Sequence, residues 1–289
     1  MWEKQFIETS RGRFEMFIGG SGEALCVTHL YSEFNERGYY FADAFLENFT
    51  VYLVNLKEAG NSCKADNDAG LSMVETAKDL EAIRAAIGLE QWAFAGHSTG
   101  GMLGLVYALL FPESLSKLMT GGASASRRYM EHEGSMYCPR SPLNRRVKEI
   151  FAVLNSPGAT LEEKKAANQE WTDMSLYHPS KRDEYFRKPS SGRVVRKRLD
   201  YYSFQELPLF DIQEDLSKII TPTIVYGGRY DAQCPLVFSE EIYEGIRDAK
   251  LYVFEESNHV PYLEERDKFD RMVRDFKAYP KKECSGTNI

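Results

Sequence analysis

The pentapeptide Gly96-His97-Ser98-Thr99-Gly100 is the stretch of this 289-residue sequence whose residue types and spacing point most directly to chemistry. Ala93-Phe94-Ala95 before it reads as a strand, and Gly101 to Phe111 after it reads as a helix. A strand-to-helix turn this tight brings the two elements so close that positions 96 and 100 must lack a Cβ, and it stands Ser98 out at the carboxyl end of the strand. The amide of Thr99 then opens the helix and points to where an oxyanion would form. The chemistry so prepared is nucleophilic attack by a hydroxyl group.

A serine hydroxyl is a poor nucleophile at neutral pH until a base takes its proton. Five histidines are available. His29 and His97 lie before or beside the serine, and His132 and His178 lie in a segment without strand pattern. His259 alone follows a late strand run, Leu251 to Phe254. Reactive groups of a parallel sheet sit in loops just past the carboxyl ends of its strands, so His259 is the base by position as well as by elimination. The acid that would orient it is Asp231, in Arg229-Tyr230-Asp231-Ala232 after the run Thr223 to Gly228. The corresponding stretch after Leu118-Met119-Thr120 is Gly121-Gly122-Ala123-Ser124, which holds no carboxylate. The competing use of Asp231 is as a helix cap ahead of Pro235.

These side chains need a scaffold, and the apolar runs supply one. Ala24 to Thr28, Val51 to Leu56, Trp92 to Ala95, Leu118 to Thr120, Thr223 to Tyr226 and Leu251 to Phe254 are short and continuous, as strands covered on both faces are. Helical patterns alternate with them at Ser72 to Ile87, Gly101 to Phe111, Pro235 to Arg247 and Leu263 to Tyr279, the first opening on a capping-box pattern, Ser72-Met73-Val74-Glu75. Strands alternating with helices predict an α/β fold with a mostly parallel sheet. Phe6 to Thr9 and Arg13 to Ile18 flank Ser10-Arg11-Gly12 and read as an antiparallel hairpin that begins it.

From Ser126 to Phe210 the alternation stops, and prolines break up a helical and loop-like pattern. This reads as an insertion. Most of its aromatics and methionines, among them Tyr129, Met136, Tyr137, Trp171 and Tyr202, are expected to fill its own core and its contact with the sheet, the rest to line an apolar pocket. The run Arg193-Val194-Val195-Arg196-Lys197-Arg198 reads as a solvated helix face.

Composition excludes several classes. With 43% apolar, 13% aromatic and 27% charged residues the chain is neither disordered nor fibrous. A net charge of -7 argues against nucleic acid as a partner. Five scattered cysteines (Cys26, Cys63, Cys138, Cys234, Cys284) without CxxC spacing suggest neither a disulfide framework nor a metal site, and fit a reducing, cytoplasmic setting. The start Met1-Trp2-Glu3-Lys4-Gln5 has no apolar core of a signal peptide, and the longest apolar stretch, Met102 to Phe111, is too short to cross a membrane.

The nucleophile elbow Gly96 to Gly101, the GxxD-like turn Gly228-Arg229-Tyr230-Asp231, the loop Ser257-Asn258-His259-Val260-Pro261-Tyr262 followed by Glu264, and the chain order Ser, Asp, His together resemble an α/β-hydrolase with a cap domain. The last loop is similar to the His-x-x-x-x-Glu segment of capped members, prolyl aminopeptidases included. The resemblance implies a core of residues 1–125 and 211–289 and a helical cap of residues 126–210. It further implies an acyl-enzyme mechanism on a small-molecule substrate, without metal or organic cofactor. A serine nucleophile argues against the dehalogenase and epoxide-hydrolase branches. One departure stands out: where the family carries His-Gly, this chain reads Thr28-His29-Leu30-Tyr31-Ser32-Glu33-Phe34. By correspondence the second oxyanion amide comes from Tyr31, partnering Thr99, and the Tyr31 ring either enters the pocket or packs under the cap. The expected activity is hydrolysis of an ester, lactone, thioester or amide of a partly apolar molecule, with carboxylesterase-like action ahead of peptidase action. An aminopeptidase would hold its substrate's ammonium with acids such as Glu131, Glu133, Glu170 or Asp173. The reading from another class is a small-molecule receptor that retains the triad.

Overall fold

Gly12, at φ 124°, turns the polar N-terminal segment back on itself, so that β1 (Glu3–Thr9) and β2 (Gly12–Gly20) pair antiparallel as the hairpin pattern predicts. The structure, a computed structural model, describes residues 2–280, and Cys284 lies outside them. The chain continues through β3 (Glu23–Val27), the two-residue β4 (Ser32–Glu33), α1 (Tyr40–Asp43), β5 (Phe49–Val54) and α2 (Met73–Ile87). Next come β6 (Trp92–His97), α3 (Thr99–Leu110) and β7 (Leu115–Gly121). Eight strands form one sheet in the order β1-β2-β5-β3-β6-β7-β9-β10, where β9 is Thr223–Gly228 and β10 is Ala249–Phe254. From β5 to β10 every neighbouring pair is parallel, and β2 joins β5 antiparallel.

The period of two along each strand decides which side chain meets which layer. Cys26, Val54, Trp92, Phe94, Leu118 and Val225 pack on the face covered by α2, α3 and α8 (Leu236–Gly245). Leu25, Val27, Leu53, Ala93, Met119 and Ile224 pack on the other, under α1 and α10 (Arg266–Ala278). The buried residues of α10, Phe269, Met272, Val273 and Phe276, recur at the 3, 4 and 7 spacing of one helix face.

Three local expectations change. The helix read over Leu263–Tyr279 breaks at Glu265 (φ -120°) into α9 (Pro261–Glu264) and α10, because the two carboxylates at the break turn back to hold a loop: Glu264 accepts from the Asn258 amide and Glu265 from the Glu256 amide. Of the capping box at α2 only half forms. The Ser72 hydroxyl accepts from the Glu75 amide, but the Glu75 carboxylate is drawn off by Arg11 and Lys78, each at 2.6 Å. The basic run is solvated at Arg193, Arg196 and Lys197 but is not one helix face: Arg193–Val194 is a strand, β8, pairing antiparallel with β4, and Arg198 is 2% exposed.

Residues 126–210 leave and re-enter the sheet layer at one neck, where Ser126 bridges Asp211, Arg127 donates to the Phe210 carbonyl and Ile212 to that of Ala125. Between lie the packed pair α4 (Asn144–Asn155) and α5 (Leu161–Asp173), the short α6 (Arg182–Tyr185), β8, and α7 (Arg196–Tyr201), which runs on into a π turn over Tyr202–Glu206.

Phe41 is 0% exposed and meets the rings of Phe45, His97, Tyr226, Tyr262 and Phe269 at centroid distances of 5.1 to 6.5 Å. Phe41→Ala should therefore cost about 3–5 kcal/mol of unfolding free energy, read as a lowered urea midpoint with unchanged slope.

Candidate active site

β6 ends at His97 and α3 begins at Thr99, so Ser98 alone turns the chain, at φ 56° and ψ -127°. Holding a non-glycine residue there costs about 1–3 kcal/mol. The turn is over-determined: the Ser98 amide donates to the Gly121 carbonyl of β7 at 2.8 Å, and its own carbonyl accepts from Gly101 and Met102. The flanking glycines are required by close approach. A Cβ at Gly96 would lie 2.1 Å from the Gly100 carbonyl oxygen, and one at Gly100 would lie 2.5 Å from that of Thr28. As the first residue of α3, Thr99 carries one of the amides that the helix leaves without an internal partner, at the positive end of its dipole.

Asp231 and His259 come from the loops after β9 and β10, which lie against one another: Tyr230 donates to the Ser257 carbonyl and Ala232 to the Asn258 side chain. Asp231 Oδ2 lies 2.8 Å from His259 Nδ1, and both residues are buried, at 4% and 6% exposure. The other oxygen, Oδ1, accepts from the amides of Gln233 and Cys234 at 2.9 Å, so the carboxylate cannot swing away. Its partnership keeps the proton on Nδ1 and leaves Nε2 as the accepting nitrogen, the tautomer a general base requires. The His259 ring stands 4.6 Å from that of His97, the residue before Ser98.

Sequence reasoning passed over His29 and His97, which the structure sets around this group. His29 Nδ1 meets the Ser32 hydroxyl at 2.9 Å and Nε2 meets that of Thr99 at 3.2 Å, so one ring spans the loop carrying Tyr31 and the start of α3. His97 Nδ1 meets the Tyr226 hydroxyl at 2.9 Å. Burial, with the neighbouring His259 adding to it, pushes His29 down to about 3 and His97 well below its ordinary value. Both are neutral imidazoles beside His259. Each sits at a strand's carboxyl end, which is the signal that would have found them.

The Tyr31 ring packs edge-on to His29 and against Tyr202, 5.9 Å away, which matches the second of the two alternatives left for it, and its hydroxyl meets the Thr99 side chain. Further phenols from residues 126–210 surround it. Tyr129 and Tyr202 share a hydrogen bond of 3.1 Å, and Tyr137 donates to Gln233, whose amide donates to the Ser175 hydroxyl. Burial raises all three phenols, so they stay neutral. The acids considered for an ammonium each carry an arginine partner: Glu131 pairs with Arg127, Glu133 with Arg140, Glu170 with Arg146 and Asp173 with Arg182. Glu264 holds the His259 loop in place, accepting from the amides of Asn258 and Tyr177. Among the described residues no cluster of three or more His, Cys, Asp or Glu side chains is arranged to hold a metal ion, and no helix is long and apolar enough to cross a membrane.

A mostly parallel sheet with a serine elbow after a central strand and a carboxylate–histidine pair on later loops defines the class of hydrolases. The chain belongs to the alpha/beta hydrolase fold family, which it matches over residues 28–266. It is similar to an alpha/beta fold family hydrolase from Bacillus anthracis str. Sterne, with 47% identity, a TM-score of 0.94, and 96% of this chain and 99% of that one covered. It is also similar to a proline iminopeptidase of Heyndrickxia coagulans, 24% identical over 96% of this chain and 99% of that one. A 2-hydroxy-6-oxo-6-phenylhexa-2,4-dienoate hydrolase of Comamonas testosteroni is 28% identical over 78% of this chain and 77% of that one.

Because His29 and His97 take up protons only after unfolding, their stabilising contribution is complete above the ordinary imidazole value of 6.5 and is lost as pH falls toward 3. Each adds about 1.4 kcal/mol per pH unit to the slope in that window. Urea unfolding between pH 7 and pH 4 should show stability falling steeply, and His29→Gln should flatten the slope by about one such increment.

Proposed function

We propose that the protein is a serine hydrolase that cleaves an ester, lactone, thioester or amide of a small, partly apolar molecule through an acyl-enzyme intermediate. What supports this reading is the strained elbow at Ser98 together with the bonded pair Asp231–His259, whose imidazole stands 4.6 Å from the ring of His97, the residue before Ser98. In it, the Ser98 hydroxyl oxygen attacks the substrate carbonyl carbon while His259 Nε2 takes the proton. The negative charge moves to the carbonyl oxygen, which the Tyr31 and Thr99 amides receive. His259 returns the proton to the leaving group, and water then repeats the sequence on the acyl-enzyme. Asp231 holds the His259 tautomer and stabilises the imidazolium formed at each step.

Residues 126–210 act as a cap over a core of residues 1–125 and 211–289, and supply the phenols near Tyr31. These buried phenols favour a neutral, partly apolar acyl group. Free Cys26, Cys63, Cys138 and Cys234 fit a reducing cytosol. The second reading, an aminopeptidase, is favoured by the likeness to a proline iminopeptidase. It ranks behind because Glu131, Glu133, Glu170 and Asp173 are already engaged by arginines rather than offered to a substrate ammonium.

Wild type should turn over p-nitrophenyl butyrate or an acyl homoserine lactone at about 1–1,000 per second, and Ser98→Ala should lower this by about 10⁴-fold or more. Asp231→Asn should lower kcat by about 10⁴-fold with the fold intact. Cleavage of proline p-nitroanilide alone would move the aminopeptidase ahead. A wild type no faster than Ser98→Ala on every compound would sink the serine-hydrolase reading.

A further inference from the structure

Leu30 stands where a glycine was expected, so the loop bearing the Tyr31 amide needs another means of holding its shape. The means lies within the basic run. The guanidinium of Arg198, buried at the foot of α7, donates Nε to the Leu30 carbonyl, Nη1 to the Lys57 carbonyl at 3.2 Å, and Nη2 to the Leu71 carbonyl at 3.3 Å and the Thr76 hydroxyl at 2.9 Å. Burial lowers its pKa to about 10, which leaves it charged at neutral pH, while Asp79, Glu206 and Glu58 offset the cost from a distance. A cation placed in the interior on neutral oxygens is an expensive arrangement to keep for packing alone.

The Leu30 carbonyl and the Tyr31 N–H are two ends of one peptide unit, and that unit is trans. Its C=O and N–H therefore point in opposite directions, and fixing one aims the other. A positive charge on the oxygen also draws electron density from the nitrogen and makes its N–H a stronger donor. The next carbonyl, that of Tyr31, is taken at 2.8 Å by the Val195 amide, and β4 pairs with β8 immediately beyond. Both peptide planes flanking Tyr31 are thus held by residues 193–198.

We propose that Arg198 is a positioning residue of the oxyanion hole: its guanidinium, seated on the Leu30 carbonyl, aims and polarises the Tyr31 N–H. This rests on the serine-hydrolase reading above. It acts on charge that exists only while the carbonyl is tetrahedral, so its loss should be felt in kcat and in the binding of tetrahedral adducts, with KM little changed.

The test uses the full chain with Arg198→Met, which removes the charge, and Arg198→Lys, which keeps it but cannot fork over several oxygens. Ser98→Ala is run beside them. For each variant that retains the wild-type melting temperature, kcat and KM on p-nitrophenyl butyrate are measured with the dissociation constant of butylboronic acid, which forms a tetrahedral adduct on a reactive serine. Arg198→Lys, the variant more certain to fold, should lower kcat about 10–100-fold and weaken the boronate in parallel, with KM within about threefold, a part of what losing a whole oxyanion donor costs. An inactive Ser98→Ala together with Arg198 variants whose kcat and boronate affinity stay near wild type would overturn the proposal and leave the serine-hydrolase reading standing. So would a rise in KM alone, or a fall in kcat without a matching loss of boronate affinity. A Ser98→Ala that kept full activity would bring down that reading, and the proposal with it.

Discussion

A single residue, Ser98, carries the chain from the end of β6 to the start of α3 with φ at 56°. Much of the carboxyl edge of the sheet is shaped to keep it there. On one side β7 anchors the turn through the Gly121 carbonyl, and on the other the Thr28 carbonyl closes against Gly100 so tightly that no Cβ fits between. Because β6 lies between β3 and β7, the loops leaving those two strands are the nearest neighbours of the turn. The loop after β3 carries His29 and Tyr31, and Gly122 after β7 lies against the His259 ring. The order of parallel strands thus converts one strained dihedral into the placement of several side chains.

Charge is rationed around that edge. His29 and His97 sit near His259 and would oppose an imidazolium there if they were charged, but burial keeps both neutral. The phenols of Tyr129, Tyr137 and Tyr202 are neutral for the same reason. Glu264 and Glu265, close in sequence to His259, spend their oxygens on loop amides. Asp231 is left as the carboxylate bonded directly to the imidazole.

How much of this was legible follows from what each residue needed. The elbow was readable because its constraint is local: two glycines and a serine within five residues, between a strand pattern and a helix pattern. Asp231 and His259 were readable because parallel topology places loops after strands at one edge. β4 and β8 were not, since each is two residues long and their pairing joins Ser32 to Val194 across most of the chain. Arg198 was hidden for a related reason. Its neighbours Arg196 and Lys197 are exposed and pair with the carboxylates of Asp200 and Glu58, as a solvated face would. Nothing in the composition of the run distinguishes the one side chain that turns inward, because its acceptors, the Thr76 hydroxyl apart, are backbone carbonyls, and these have no residue type to read. The same holds for Glu75, whose capping role yields to Arg11, a residue far off in sequence.

The neck at Ser126 and Asp211 makes residues 126–210 look like a module that evolution could lift out and replace while the sheet stayed whole. The other fastenings argue for a less portable unit. On one flank the Met136 amide and the Ser175 carbonyl join the loops of Asp231 and His259, and on the other Val195 and Arg198 grip the loop of Tyr31. A replacement of different ancestry would arrive without the arginine, and the loop it met would still carry a bulky leucine where a glycine could have shaped itself. The loop 28–33 and the segment 193–198 are therefore expected to be inherited as a pair, with the glycine's return in a lineage marking the loss of the arginine.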